Sequence, residues 1–286
     1  MSKDDSFSFN AADGTKIFTY RWLPTGPVRG VLQIAHGMGE HSLRYRKPLE
    51  PLLEAGIAIY SNDHRGHGKT AAANGALGEF GPGGFTALVD DMAQLSRTIR
   101  TAHPGAKLIL MGHSMGSFAA QLYVLRHSDL IDGFILSGSA AFDKLQAPRG
   151  GLAAIGAGME KPRTPFDWLS RDDREVDAYI ADPLCGFTVS DASRNSMFAA
   201  GAAAADPKAI GGIRKSLPIY IFAGEKDPVN AEMTRMWPLV ERYQEAGIKD
   251  VTTDFYPGGR HEMLNETNRD EVVANLKHWV ERVVAR

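Results

Sequence analysis

The sequence predicts an α/β fold, a mostly parallel central sheet flanked by helices with an inserted helical cap, and three observations carry that expectation. Short apolar runs alternate with amphipathic stretches along most of the chain. The runs are unbroken rather than alternating in polarity, as strands buried on both faces require. Between about residues 141 and 213 the alternation stops. A chain of 286 residues that is 43% hydrophobic can bury one large core, so one domain spanning 1–286 is expected, with a cap insertion at about 141–213.

Taken in order, Phe7, Phe9, Ile17, Phe18, Tyr20 and Trp22 flank Ala12-Asp13-Gly14-Thr15, and Asp-Gly between β-prone runs signals an antiparallel hairpin at the sheet edge. Residues 30–35 (GVLQIA) read as the first buried strand and end in His36-Gly37-Met38-Gly39-Glu40-His41. Leu43 to Ala55 is expected to be helical at its end, with Pro48 and Pro51 making the start irregular. Ile57 to Tyr60 is the next strand, followed by a polar loop from Ser61 to Gly68. Phe85 to Ala102 places Leu88, Val89, Met92, Leu95 and Ile99 on one side of a helix. Leu108 to Met111 forms a strand, and Met115 to Arg126 a helix.

Ile131 to Leu136, Leu217 to Ala223 and Val251 to Tyr256 complete the strands. Helices are expected over 231–246 and 272–284. The insertion, rich in Ala, Gly and Pro with scattered Phe166, Trp168, Leu169, Phe187, Met197 and Phe198, is too long for a plain loop.

Charge excludes several classes of function. Lys plus Arg (32) nearly balance Asp plus Glu (34) with no long run of either sign, so nothing favours nucleic acid, and an uncharged or weakly charged substrate fits better. Cys185 is the single cysteine, which rules out an internal disulfide and a cysteine-based metal cluster and suits a reducing cytoplasm. No apolar stretch approaches the roughly 20 residues that span a bilayer, and MSKDDSFSFN carries no apolar signal region. A soluble cytoplasmic protein is expected, with peripheral lipid contact compatible; oligomeric state is open.

The chemistry centres on Gly112-His113-Ser114-Met115-Gly116, a GxSxG segment between a buried strand and a helix. Glycines two residues either side of a serine allow the sharp turn that exposes a nucleophile. Asp227 and His261 fall in loops at the carboxyl ends of later strands, the sheet edge where such loops converge on one crevice. A serine hydroxyl needs a base, and an imidazole titrating near about 6.5 serves. A buried carboxylate fixes its tautomer. Ser114, His261 and Asp227 are the candidates for these roles, with Glu225 the local competitor of Asp227. Backbone N–H groups of Met38 and Met115 are the candidate oxyanion donors.

The other histidines read as structural: His36 braces the Met38 loop, His113 turns away from the crevice, and His64 and His67 lack a third ligand for a metal. No metal or cofactor is called for.

Together HGMGEH (36–41), DHRGHG (63–68), GHSMG (112–116), GEKDPV (224–229) and RHEMLNE (260–266) resemble the monoacylglycerol lipase and lysophospholipase family of α/β-hydrolases, of the serine aminopeptidase S33-like type. The resemblance spans almost the whole chain, and Asp182-Pro183-Leu184 extends it into the insertion. It implies an α/β-hydrolase fold, a triad of Ser114, Asp227 and His261, an oxyanion amide at Met38 beside that of Met115, and hydrolysis of a small-molecule acyl ester through an acyl-enzyme. Monoacylglycerols, lysophospholipids and short artificial esters are the implied substrates. Cleavage of an amide, thioester or polyester, acyl transfer, and a catalytically silent binding protein are the alternatives.

Overall fold

The structure, a computed structural model, describes residues 3–145 and 151–286. Eight strands form one sheet: β1 (Lys3–Asn10), β2 (Lys16–Leu23), β3 (Gly30–Ala35), β4 (Ile57–Asn62), β5 (Lys107–His113), β6 (Gly133–Ser137), β7 (Ile219–Gly224) and β8 (Val251–Tyr256). Their spatial order is β1-β2-β4-β3-β5-β6-β7-β8. The hairpin β1–β2 is antiparallel and β2 pairs antiparallel with β4, whereas β3 through β8 run parallel. Asp13-Gly14 makes the expected turn, closed by the Ala11 amide on the Thr15 carbonyl at 2.9 Å.

The unbroken apolar runs follow from two-sided burial. Val31, Leu108, Leu110, Phe134 and Leu136 join one core layer, while Leu32, Ile34, Ile109, Met111 and Ile135 join the layer on the opposite face. Successive side chains alternate between the two cores, so neither parity can be polar.

The helices are α1 (Glu50–Glu54), α2 (Gly68–Asn74), α3 (Gly84–Ala102), α4 (Met115–His127), α5 (Asp173–Ala181), α6 (Asp191–Ala200), α7 (Pro207–Gly211), α8 (Trp237–Glu245) and α9 (Arg269–Val284). α3 and α4 cover the first core layer with Phe85, Met92, Phe118 and Tyr123; α9 covers the second with Val272, Leu276, Trp279 and Val283. No helix among the described residues is long and apolar enough to cross a membrane.

Of three local expectations, one needs correction. The stretch 43–55 is irregular at its start, a 3₁₀ turn at Ser42–Tyr45, and helical at its end in the short α1, as expected, because Pro48 and Pro51 withhold amide donors from a continuous ladder. The helix expected from 231 begins only at Trp237: Ala231, Glu232 and Met233 have φ of 51°, 49° and 72°, a left-handed turn no right-handed helix can include. Asn230 fixes that turn, giving its Nδ2–H to the Gly224 carbonyl and accepting the Met233 amide, both at 2.9 Å. The polar loop after β4 is present as expected and leads directly into α2, whose first turn is organised by Asp63 accepting the Lys69 amide at 2.7 Å.

Between β6 and β7 the described residues contain short helices and no strand. This segment is tied to the sheet's carboxyl edge: the His261 amide donates to the Trp168 carbonyl, the Glu262 amide to the Leu169 carbonyl at 2.7 Å, and Arg260 to the carbonyls of Asp167 and Ser170.

Candidate active site

Ser114 occupies the turn between β5 and α4 with φ 52° and ψ −122°. A non-glycine residue held there costs about 1–3 kcal/mol and persists only where its surroundings over-determine it. They do: its amide donates to the Ser137 carbonyl at 3.0 Å, and its carbonyl accepts the Ser117 amide at 2.8 Å and the Ser117 hydroxyl at 2.6 Å. The glycine two residues on is a packing requirement, since a Cβ on Gly116 would stand 2.0 Å from the Ala35 carbonyl oxygen. Helix α4 can approach β3 this closely only without a side chain.

Asp227 and His261 leave the ends of β7 and β8, which are neighbours in register from Ile219↔Val251 to Gly224↔Tyr256. The two loops touch where a Cβ on Gly224 would lie 2.2 Å from the Gly259 carbonyl. His261 Nδ1–H donates to Asp227 Oδ2 at 2.9 Å, with side chains 2% and 0% exposed, and Asp227 Oδ1 accepts the Val229 amide at 2.9 Å. With Nδ1 engaged, Nε2 is the ring nitrogen available for proton exchange. Glu225 is partly exposed and gives only its backbone amide, to the Tyr256 carbonyl.

Ser114, Met38 and Met115 line one cavity of about 290 Å³, whose walls are mostly apolar, among them Phe118, Leu152, Met197, Phe198 and Val229. The amides flanking Met38 are taken, Gly37 by Glu40 Oε1 and Gly39 by His67 Nε2 at 3.1 Å, while the Met38 amide makes no hydrogen bond among the described residues. Met115 opens α4, so its amide has no intrahelical carbonyl to meet. Both donors thus stand free at the wall that Ser114 shares.

The neutral histidines hold the surrounding loops. His36 gives Nδ1–H to the Gly37 carbonyl at 2.8 Å and accepts the His64 amide on Nε2 at 2.9 Å, the bracing expected of it. His67 gives Nδ1–H to the Arg65 carbonyl and accepts the Gly39 amide. Burial pushes His36 and His64 well below the usual imidazole range and His67 down to about 4. His113 does not line the cavity in front of Ser114; its ring packs 4.9 Å from that of His261, with Nδ1 3.2 Å from Ser137 Oγ, because β5 and the His261 loop meet over Gly138. Burial and then the charge of His261 push it down to about 4, so it stays a neutral floor beneath His261.

His261 itself is shifted the other way. Burial opposes its charged form, but the carboxylates of Asp227, then Glu262 and Glu40, outweigh burial and raise its pKa above the ordinary value. Glu40 and Glu262 were invisible as site residues in the sequence. Both are buried and meet at Arg44, which donates to Glu40 Oε2 at 2.8 Å and to both Glu262 oxygens at 2.6 Å. Tyr45 adds its hydroxyl to Glu40 at 2.7 Å. Burial disfavours the two carboxylates, yet the Arg44 guanidinium holds both below the usual carboxylate range. Arg44 therefore staples the Met38 loop to the His261 loop. The available signal was a Glu-Arg pair four apart inside a glycine-rich motif. Trp168, whose ring lies 4.8 Å from His261, carried no signal at all.

Among the described residues, His41, Asp182 and Cys185 are the one trio of metal-capable side chains with ligand atoms within 4.8 Å of one another. His41 Nε2 is 2.9 Å from Asp182 Oδ2, and burial pushes the Cys185 thiol up, against the thiolate a metal would need. The trio serves to anchor the insertion to the Met38 loop.

The strained serine turn on a mostly parallel sheet, with an Asp-His pair at the same edge, defines an α/β-hydrolase. The pattern of the family described as serine aminopeptidase, S33 (Hydrolase_4) matches residues 26–268, and the chain belongs to that family. It is similar to a monoacylglycerol lipase of Mycolicibacterium smegmatis, 29% identical over 96% of this chain and 95% of that protein, and to the monoglyceride lipase of Mus musculus, 26% identical over 96% and 89%. Among solved structures it resembles a thermostable carboxyl esterase from Bacillus coagulans in complex with glycerol, with 27% identity, TM-score 0.88 and coverage of 99% of this chain and 100% of that one. The monoacylglycerol lipase of Paleococcus ferrophilus aligns with 26% identity and TM-score 0.70, over 93% of this chain and 98% of its own.

Proposed function

We propose that this protein is a serine carboxylic-ester hydrolase that cleaves monoacylglycerols, lysophospholipids or similar acyl esters through an acyl-enzyme. The observation that carries this reading is the fully buried His261–Asp227 pair at the sheet edge where Ser114 is held in a strained turn facing an apolar cavity. In the proposed reaction Ser114 Oγ attacks the ester carbonyl while His261 Nε2 takes its proton. Asp227 fixes the tautomer and stabilises the imidazolium. The amides of Met38 and Met115 receive the oxyanion, which develops where the donors already point. His261 returns the proton to the departing alcohol, and water, activated by the same ring, releases the acid.

Residues 141–213 act in this reading as a cap. Leu152, Met197 and Phe198 supply its apolar wall, and Ile180, 47% exposed on α5, offers a side chain for peripheral contact with lipid. The test is labelling by a fluorophosphonate together with hydrolysis of monoacylglycerols of graded chain length. Labelling and turnover that both vanish in Ser114→Ala are expected; an unlabelled, inactive wild-type protein would indicate a binding protein, and preference for aminoacyl amides over every ester would indicate a peptidase.

A further inference from the structure

Among the described residues lining the cavity in front of Ser114, the charged ones are Arg194 and Arg235, and no carboxylate accompanies them there. Elsewhere the partly or fully buried arginines are firmly held: Arg44 meets Glu40 and Glu262, Arg65 meets Asp13 and Asp91, Arg242 meets Asp143, and Arg260 gives its guanidinium to the carbonyls of Asp167 and Ser170. Arg194 and Arg235 are held more loosely. Arg194 gives one Nη–H to Asp191 Oδ1 at 2.6 Å, a carboxylate three residues back on the same helix that is 82% exposed and so heavily screened. Its Nε is buried with no hydrogen-bond partner. Arg235 touches no carboxylate among the described residues; its side-chain bond is a long one, 3.3 Å, to the Val229 carbonyl.

Arg235 also follows the left-handed turn at Ala231, Glu232 and Met233, so the chain adopts three unfavourable conformations on the path from Asp227 to this arginine. A guanidinium carries five donors in a planar fork that fits carboxylate and phosphate oxygens. A wholly neutral acyl ester entering this cavity would offer the two cations carbonyl and hydroxyl acceptors but no charge to offset their desolvation.

We propose that Arg194 and Arg235 form an anion subsite, and that the preferred substrates are acyl esters bearing a carboxylate or phosphate on either the acyl or the alcohol side. This rests on the ester-hydrolase reading above and narrows its substrate class. The two arginines are positioning and specificity residues, since the bond broken is still the ester at Ser114.

The experiment measures kcat/KM for two matched pairs that differ only in the anionic group: mono-para-nitrophenyl glutarate against para-nitrophenyl pentanoate, and octanoylglycerol phosphate against octanoylglycerol. The first pair places the charge on the acyl side, the second on the alcohol side. The wild type is expected to favour the anionic member of one pair by about tenfold or more, the scale of one charge-assisted hydrogen bond. That preference should shrink with added salt, collapse in Arg194→Gln and Arg235→Gln, and survive in part in the Lys variants. Each preference is a ratio within one sample, so it does not depend on how much of a variant folds. A wild type that treats both pairs alike or favours the neutral members overturns the subsite, as does a preference that both Gln variants retain. If the wild type cleaves none of the four and resists fluorophosphonate, the ester-hydrolase reading itself has failed and the subsite falls with it.

Discussion

The Nδ1–H of His261 donates to Oδ2 of Asp227 over 2.9 Å, and neither side chain meets solvent. Such a bond selects one tautomer of the ring and leaves Nε2 free to face a hydroxyl. Asp227→Asn keeps the shape but offers an N–H where an acceptor is needed, which favours the opposite tautomer. Turnover of a para-nitrophenyl ester should fall by about 10⁴-fold, as such a change does in serine proteases. A loss below tenfold would mean that Asp227 does not orient the base.

The raised pKa of His261 sets the pH dependence. In the proposed mechanism its neutral form is the base, so kcat/KM should climb with pH through a midpoint above the ordinary imidazole value of about 6.5. Glu262 contributes to that rise, and Glu262→Gln should move the midpoint down. The same shift has a consequence for stability: a group whose pKa is raised on folding stabilises the fold fully below its unfolded value and loses that contribution as pH rises through the folded one. A pH–rate profile of both proteins checks the sign, and an upward movement in the variant would contradict the assigned cause.

Among the described residues, Arg44 is the only cation that hydrogen-bonds to Glu40 and Glu262. Arg44→Met strands two buried carboxylates, and removing one partner of a buried pair typically costs about 3–5 kcal/mol. Urea unfolding should show a loss of that size, and the triple variant with Glu40→Gln and Glu262→Gln should regain part of it. Equal stability of wild type and Arg44→Met would show that the network holds nothing together.

Gly116→Ala places a methyl group 2.0 Å from the Ala35 carbonyl oxygen, with backbone rather than a flexible side chain in the way. Overpacking of this kind costs about 1–3 kcal/mol or more. The expected result is a lower unfolding midpoint, with reduced fluorophosphonate labelling as the serine turn shifts. A variant matching the wild type in both would disprove the close approach of α4 to β3.

Periodicity and punctuation made most of the sheet legible, because a strand buried on two faces is apolar on both, save where a polar side chain such as Gln33 finds its own hydrogen bonds, and Leu108 to Met111 or Ile219 to Ala223 can be little else. It failed where side chains overrule the local pattern. Asn230 imposes a left-handed turn on residues that read as helix. The same blindness concealed Trp168, Glu40 and Glu262, whose importance lies in contacts across long stretches of chain.

The sequence alone determined the order of the strands along the chain, the serine turn with its obligatory glycines, and the residue types on offer at the sheet's carboxyl edge. These depend on local sterics and on the alternation of side chains, which neighbours in sequence encode. Tertiary structure decided which carboxylate His261 meets, the direction in which its pKa moves, the stapling of two loops by Arg44, and the presence of both Arg194 and Arg235 in the lining of one cavity. Those are matters of distance and desolvation between groups tens to hundreds of residues apart, and only the folded chain sets them.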